Sequence, residues 1–333
     1  MELYPILFTP ILKEKIWGGK KLKEKLNKTK AGSTCGESWE ISGIEGDVSV
    51  VKNGFLKGNN LSELLEIYMG DLVGEEIFEK FGTEFPLLFK YIDASELLSI
   101  QVHPDDKLAK ERHQAYGKTE MWYVLDADKN SEIITGFNTE LNKQSYLKAF
   151  NNGELEQILN KEKVKKSDAF LIPSGRVHAI GKGILLAEIQ QSSDITYRIY
   201  DWDRLDKNRN GRELHTDLAL DALDFKTYDS YRIDYSPKNN DSSNLIDSPY
   251  FTCNILKLDK SIETDYYNLD SFVVYMCVEG EFSVQLDNGT KEFIKTGETV
   301  LIPAVANTVT LSPNTSATLL EIFIKPKKTN NDN

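Results

Sequence analysis

AFLIPSGRVHAIGKGILLAEIQ (residues 169–190) and TVLIPAVANTVTLSPNTSATLLEIFI (residues 299–324) are two versions of one pattern. Each opens on an apolar run ending in LIP, passes through a turn-rich stretch, and closes on a second apolar run, LLAEI in one copy and LLEI in the other. A strand, a tight turn and a return strand, used twice among many short strands, predict a mainly β chain of two jelly-roll barrels with a small helical insertion.

Working outward, residues 1–54 read as short strands, for instance SWEIS and DVSVV. Residues 60–81 carry apolar side chains at helical spacing, with Ser62 in N-cap position. Residues 105–117 read as a short helix capped by an aspartate and closed by glycine. Two further helices are expected within 140–163, at about 140–151 and 154–163. KNNDSSNLIDSP (residues 238–249) is polar and turn-rich, the best linker in the chain. The expected division is a first barrel over 1–235 with insertions at 60–81, 105–117 and 140–163, a second over 250–325, and a disordered polar tail at 326–333.

Within the first copy, Pro173-x-Gly175-x-x-His178 resembles the second motif of the cupin barrels in residue types and spacing. In that motif proline and glycine make the turn and the histidine points inward. Cupins supply their other ligands as His-x-His followed by Glu; here the pair is Gln101-x-His103 in SIQVHPDD, and the carboxylate is Glu120. If Ile100 and Val102 face a core, Ser99, Gln101 and His103 share the opposite face of their strand. Two imidazoles, a carboxylate and an amide oxygen from three segments suit zinc or another divalent first-row ion, with a position open to water or substrate. Taken singly, a strand histidine is more often a hydrogen-bonded interior residue than a ligand; the combination favours the ligand reading. His113, in a polar helix, and His215, in a loop, are expected at the surface. Alignment of the two copies sets Val273 opposite Glu120 and Thr308 opposite His178, so the second barrel lacks the set and one ion per chain is expected.

Composition narrows the function classes. The chain has 333 residues, 40% hydrophobic and 28% charged, the balance of a globular protein. A formal net charge of −12 argues against nucleic acid or an anionic membrane as partner, since both need clustered cations. Cys35, Cys253 and Cys277 are widely spaced and odd in number, as expected of reduced thiols in a cytoplasmic protein. No basic region precedes an apolar run at the N-terminus, and no apolar run is long enough to span a bilayer.

QVHPDD, GKTEMWYVLDA, LIPSGRVHAI and EIQQSSDITYRIYDWDR, in that order, resemble the type I mannose-6-phosphate isomerases, and KEKIWGG and GESWEIS resemble their opening strands. The resemblance runs from about residue 4 to 325. It implies a zinc-dependent enzyme, with one Zn²⁺ per chain, interconverting mannose 6-phosphate and fructose 6-phosphate by proton transfer through a cis-enediol. It places Gln101, His103, Glu120 and His178 on the metal ligands and Arg198 on the active-site arginine. Lys118 and Ser99 fall on substrate or phosphate contacts, and Glu188 and Asp194 on acidic positions of the same pocket. Arg198 serves either the enediolate or the phosphate; the base is Glu188, Asp194 or a metal-bound hydroxide. The interval from Glu120 to His178 has room for only two helices, as in the short bacterial form. A monomer or homodimer acting on a small sugar phosphate is implied. The rival readings are an Fe(II) oxygenase and a non-catalytic sugar-phosphate-binding cupin. The polar stretch at 208–214 has no assigned role.

Overall fold

The computed structural model describes residues 2–205 and 209–325; the tail at 326–333, expected to be disordered, lies outside them. The chain is mainly β and antiparallel throughout its three sheets. A six-stranded sheet runs in the order Ile11–Gly19, Cys35–Ile41, Leu87–Ala94, Ile184–Gln191, Glu120–Ala127, Ala169–Ile172. A five-stranded sheet runs Tyr197–Tyr200, Ile100–Val102, His178–Ile180, Glu132–Phe137, Leu159–Lys163. The two close over a shared interior of Trp17, Ile92, Trp122, Val124, Ile133, Phe170, Ile180 and Leu186. An eight-stranded sheet built mostly from Ser242–Phe323 forms the second barrel around Tyr275, Phe282, Val284, Ile294 and Leu319.

The strand Leu87–Ala94, LLFKYIDA, is buried at every position because both of its faces are covered. Ile92 and Ala94 face the first barrel's interior, while Leu87, Phe89 and Tyr91 pack in a core shared with Phe251, Cys253, Phe272, Met276 and Ile322 of the second. Ile184–Gln191 behaves alike, Leu186 inward and Leu185, Ala187 and Ile189 outward. Strands covered on both sides read as continuous apolar runs rather than alternating ones. The ring centroids of Phe85 and Phe272 lie 4.8 Å apart across this join, and the Tyr91 hydroxyl donates to the Cys277 carbonyl at 3.2 Å. Near the start of the chain, Ile6–Leu7 pairs with Val300 and Leu301, so one N-terminal strand belongs to the second sheet.

Local structure departs from expectation at four places. Residues 60–81 form two helical spans, Leu61–Val73, kinked at Met69 (φ +45°), and Glu75–Phe81. The N-cap is Asn60 rather than Ser62: its side chain accepts from Glu63 N at 2.9 Å while the Glu63 carboxylate accepts from Asn60 N at 2.8 Å, a reciprocal box that Ser62 has no partner to make. The break falls at Gly74, at φ +100°, where a Cβ would lie 2.4 Å from the Asp270 carbonyl oxygen; the Asp270 carboxylate caps the second helix. The helix Asp106–His113 starts on Asp105 as expected and ends on a left-handed Gln114, before Gly117. The helix Lys143–Asn151 is present, whereas 154–163 holds a four-residue helical turn, Leu155–Ile158, and then the strand Leu159–Lys163, whose burial alternates as it pairs with Glu132–Phe137. The supposed linker contains the strand Ser242–Asp247, held because Leu245 and Ile246 enter the shared core. All three cysteines are buried and unpaired.

Candidate active site

Strand register gathers the polar residues. His178 lies directly across from Gln101, and Gln101 from Arg198, so the three form a row over adjacent strands of the five-stranded sheet. His103 follows at the strand's end, before Pro104, and its carbonyl accepts from Gly175 N of the Pro173–Gly175 turn at 2.8 Å. The facing sheet contributes Glu120 at the start of its strand and a second row in which Lys90, Glu188 and Trp122 are cross-strand neighbours. The break in SIQVHPDD thus turns the chain so that His103 reaches the centre that Gln101 borders.

His103, Glu120 and His178 are fully buried, with one ligand atom from each inside a span of 4.8 Å. Both imidazole Nε2 atoms lie 3.4 Å from Glu120, one on each carboxylate oxygen. His103 Nδ1 donates to the Ile195 carbonyl and His178 Nδ1 to the Arg176 carbonyl, each at 2.9 Å, which fixes both Nε2 lone pairs toward the shared centre. Gln101 joins them, its side-chain amide 3.2 Å from His178 Nε2; the amide's oxygen and nitrogen are interchangeable by shape, so either can face the centre. Burial, and then Lys118, pushes the His103 pKa down to about 3, and burial lowers His178 as well, so both rings are neutral. Burial opposes a charge on Glu120, yet the Lys118 ammonium holds it well below the usual carboxylate range. Neither Glu120 oxygen accepts a hydrogen bond, although both are buried. A buried anion with open lone pairs beside two oriented imidazoles is the donor set a divalent cation takes up. Among the described residues this is the only such cluster.

These donors lie beside a cavity of about 340 Å³. Ser99, Gln101, Lys118, Glu188, Asp194 and Arg198, all named from sequence, line it. Lys118 Nζ sits 3.2 Å from both Glu120 Oε2 and His103 Nε2, at the donor cluster itself. Glu188 is buried, 3.2 Å from Lys90 Nζ, and accepts from Trp122 Nε1 at 2.9 Å. Burial raises its pKa, and the Glu120 charge adds to that. Arg198 donates through Nη1 to the Glu213 carbonyl at 2.8 Å, and its buried Nε has no partner. Asp194 stands exposed at the rim.

The catalytic-domain model of the type I phosphomannose isomerases matches residues 6–144. Mannose-6-phosphate isomerase ManA of Bacillus subtilis is 36% identical over 307 residues, covering 91% of this chain and 94% of that protein. The chain belongs to the type I phosphomannose isomerases. The mannose-6-phosphate isomerase of Streptococcus mutans is also 36% identical, over 90% of this chain and 92% of its own. The crystal structure of the Bacillus subtilis mannose 6-phosphate isomerase aligns with a TM-score of 0.86 at 35% identity, over 96% of this chain and 99% of that one. A phosphomannose isomerase from Salmonella typhimurium, at 17% identity and a TM-score of 0.76, shares the fold.

Several pocket residues escape a sequence reading. Lys15, Glu37 and Lys90 line the cavity beside Glu188 and alternate with it in charge. Glu37 lies 3.1 Å from Lys15 and accepts from Trp39 Nε1 at 2.7 Å. The one available signal was Lys90 itself, a cation inside a largely apolar strand, which needs a buried partner. Arg212, in the polar stretch without an assigned role, lines the same cavity. His215 proves to be half-buried: its Nδ1 accepts from Arg198 N at 3.1 Å. His113 is exposed as expected, its Nε2 2.8 Å from the Tyr197 hydroxyl. In the second barrel Glu321, which answers Glu188 in the repeat, is also buried, but it is met by the hydroxyls of Tyr266 and Ser242 and the amide of Asn254 instead of a lysine and an indole.

Proposed function

We propose that this chain is a zinc-dependent aldose–ketose isomerase that interconverts mannose 6-phosphate and fructose 6-phosphate through a cis-enediol. The observation that carries the reading is the buried Glu120 carboxylate, which accepts no hydrogen bond and has the Lys118 ammonium 3.2 Å from one oxygen, between two imidazoles whose Nδ1 atoms are tied to backbone carbonyls. Gln101, His103, Glu120 and His178 would hold one Zn²⁺ per chain. Such an ion supplies Lewis-acid stabilisation of a sugar oxygen on which negative charge develops, a contribution of several kcal/mol.

The remaining steps fall to side chains. A C–H bond beside a carbonyl is a weak acid, so the base must be fixed next to it and the oxygen must meet preorganised donors. Glu188 is the base we favour over Asp194: it is fixed by Lys90 and Trp122, lies beside the donor cluster, and has a pKa raised by burial, the direction that makes a carboxylate a stronger base. It removes the proton from C2 of the aldose and returns it to C1, while the hydroxyl proton passes between O2 and O1. Arg198, always charged and holding an uncommitted Nε, donates to the oxygen edge. Lys118 beside Glu120 adds positive charge at the same end; Ser99 lines the wall.

The test is a coupled assay on mannose 6-phosphate with metal analysis of the purified chain. Turnover abolished by chelation and restored by Zn²⁺ is expected, with Glu188→Gln reducing kcat by at least about 100-fold at unchanged metal content. Full turnover in the chelated protein, or in Glu188→Gln, would refute the assignment.

A further inference from the structure

The polar stretch around Arg212 has a chemistry that the isomerisation does not use. Asp201 is buried, and its carboxylate is shared by two guanidinium groups, Arg204 and Arg212. Arg204 is fully committed: it also donates to the carbonyls of Leu97 and Asp201. Arg212 is committed along one edge only, through Nε to Asp201 Oδ2 at 2.7 Å and through Nη2 to Oδ1. Its Nη1 has no acceptor among the described residues, and its side chain lies 31% exposed while lining the cavity. Arg198 lines the same cavity close enough for the two charges to oppose one another.

Two guanidinium groups on one buried carboxylate leave one positive charge unbalanced, and Arg198, with the Glu213 carboxylate near it, stands within electrostatic reach, in a chain whose net charge is −12. Like charges are held together in this way when an anion completes the group. Lys118 is a poor candidate for that anion, because Glu120 and His103 already occupy its ammonium 3.2 Å away. We infer that Arg212 binds the phosphoryl group of the substrate, and that Asp201 is a positioning residue that turns the free edge of that guanidinium into the cavity. The inference rests on the sugar-phosphate reading of this site. It separates two tasks that the sequence left joined, giving the sugar oxygens to Arg198 and the phosphate to Arg212.

The experiment uses the full-length, metal-loaded chain. In Arg212→Gln, KM for mannose 6-phosphate should rise about 10- to 100-fold while kcat falls far less, and inhibition by inorganic phosphate should weaken by a similar factor. Arg212→Lys should recover part of the loss, since it restores charge without the planar fork. Asp201→Asn should move KM and phosphate inhibition in the same direction with metal content unchanged; if that variant does not fold, the Arg212 pair decides alone. Unchanged KM and unchanged phosphate inhibition in Arg212→Gln would overturn the inference and leave the isomerase reading standing. Should the parent show no turnover, calorimetric titration with inorganic phosphate still decides: binding by the parent that Arg212→Gln loses supports the subsite, and equal binding by both removes it.

Discussion

Replacing Lys90 by methionine removes a cation from the wall of the cavity and keeps its approximate shape. Glu188 then loses its only ion-pair partner among the described residues; Glu37 loses the Lys90 charge that helps hold its carboxyl down but keeps Lys15 at 3.1 Å and Trp39 at 2.7 Å, so the damage falls mainly on Glu188. An unpaired buried carboxylate does not stay charged when it can take a proton, and the cost of that proton limits the loss of stability. For a carboxyl with an ordinary pKa of about 4.3 the limit is about 1.4 kcal/mol per pH unit, hence about 3.7 kcal/mol at pH 7 and about 1.4 kcal/mol at pH 5.3. Burial and Glu120 already raise the Glu188 pKa in the parent, so part of this is present before substitution, and an added loss of about 2–3 kcal/mol is expected at pH 7. In the variant the folded chain holds a proton that the unfolded chain releases above about pH 4.3, so its stability falls as pH rises through that window. Denaturant unfolding of metal-free Lys90→Met and parent at pH 7 and 5.3 measures it, and Lys90→Met/Glu188→Gln should remove the slope. A loss equal at both pH values, or one that persists in the double variant, would refute the reasoning.

Other outcomes follow from the same geometry. His178→Ala should lower the zinc retained after dialysis, whereas Arg198→Ala should keep metal near the parental level and lose at least about 100-fold in kcat; full metal and full rate in both would mean the site is misassigned. Phe272→Ala should cost about 3–5 kcal/mol, and both barrels should melt in one transition because Phe272 sits in their common core; two separate transitions would contradict that. Asn60→Ala should lose about 1 kcal/mol in denaturant unfolding through the capping box, and Ser62→Ala almost nothing.

The sequence was most informative where one element's own pattern carries the information. The repeated LIP turn, the Gln101-x-His103 pair before a proline and the strand-start Glu120 needed only spacing to be recognised, and the structure brings them to one centre. It was weakest where the partner lies on another strand. Lys90 and Glu188 are 98 positions apart, and only register makes them neighbours. Residues 159–163 contain one apolar side chain among polar ones and read as helix; the edge of Glu132–Phe137 makes them a strand.

By itself, then, the amino-acid order determined the β character, the doubled barrel, the metal-type donors and the family, since periodicity, turn residues and motif spacing are properties of neighbouring positions. Only tertiary structure decided that the barrels share a core, that Ile6–Leu7 crosses to the second sheet, and which cations are already committed to a carboxylate. Whether a lysine or an arginine is free to meet a substrate depends on the acceptors that folding brings within about 3 Å, and those come from segments remote along the chain.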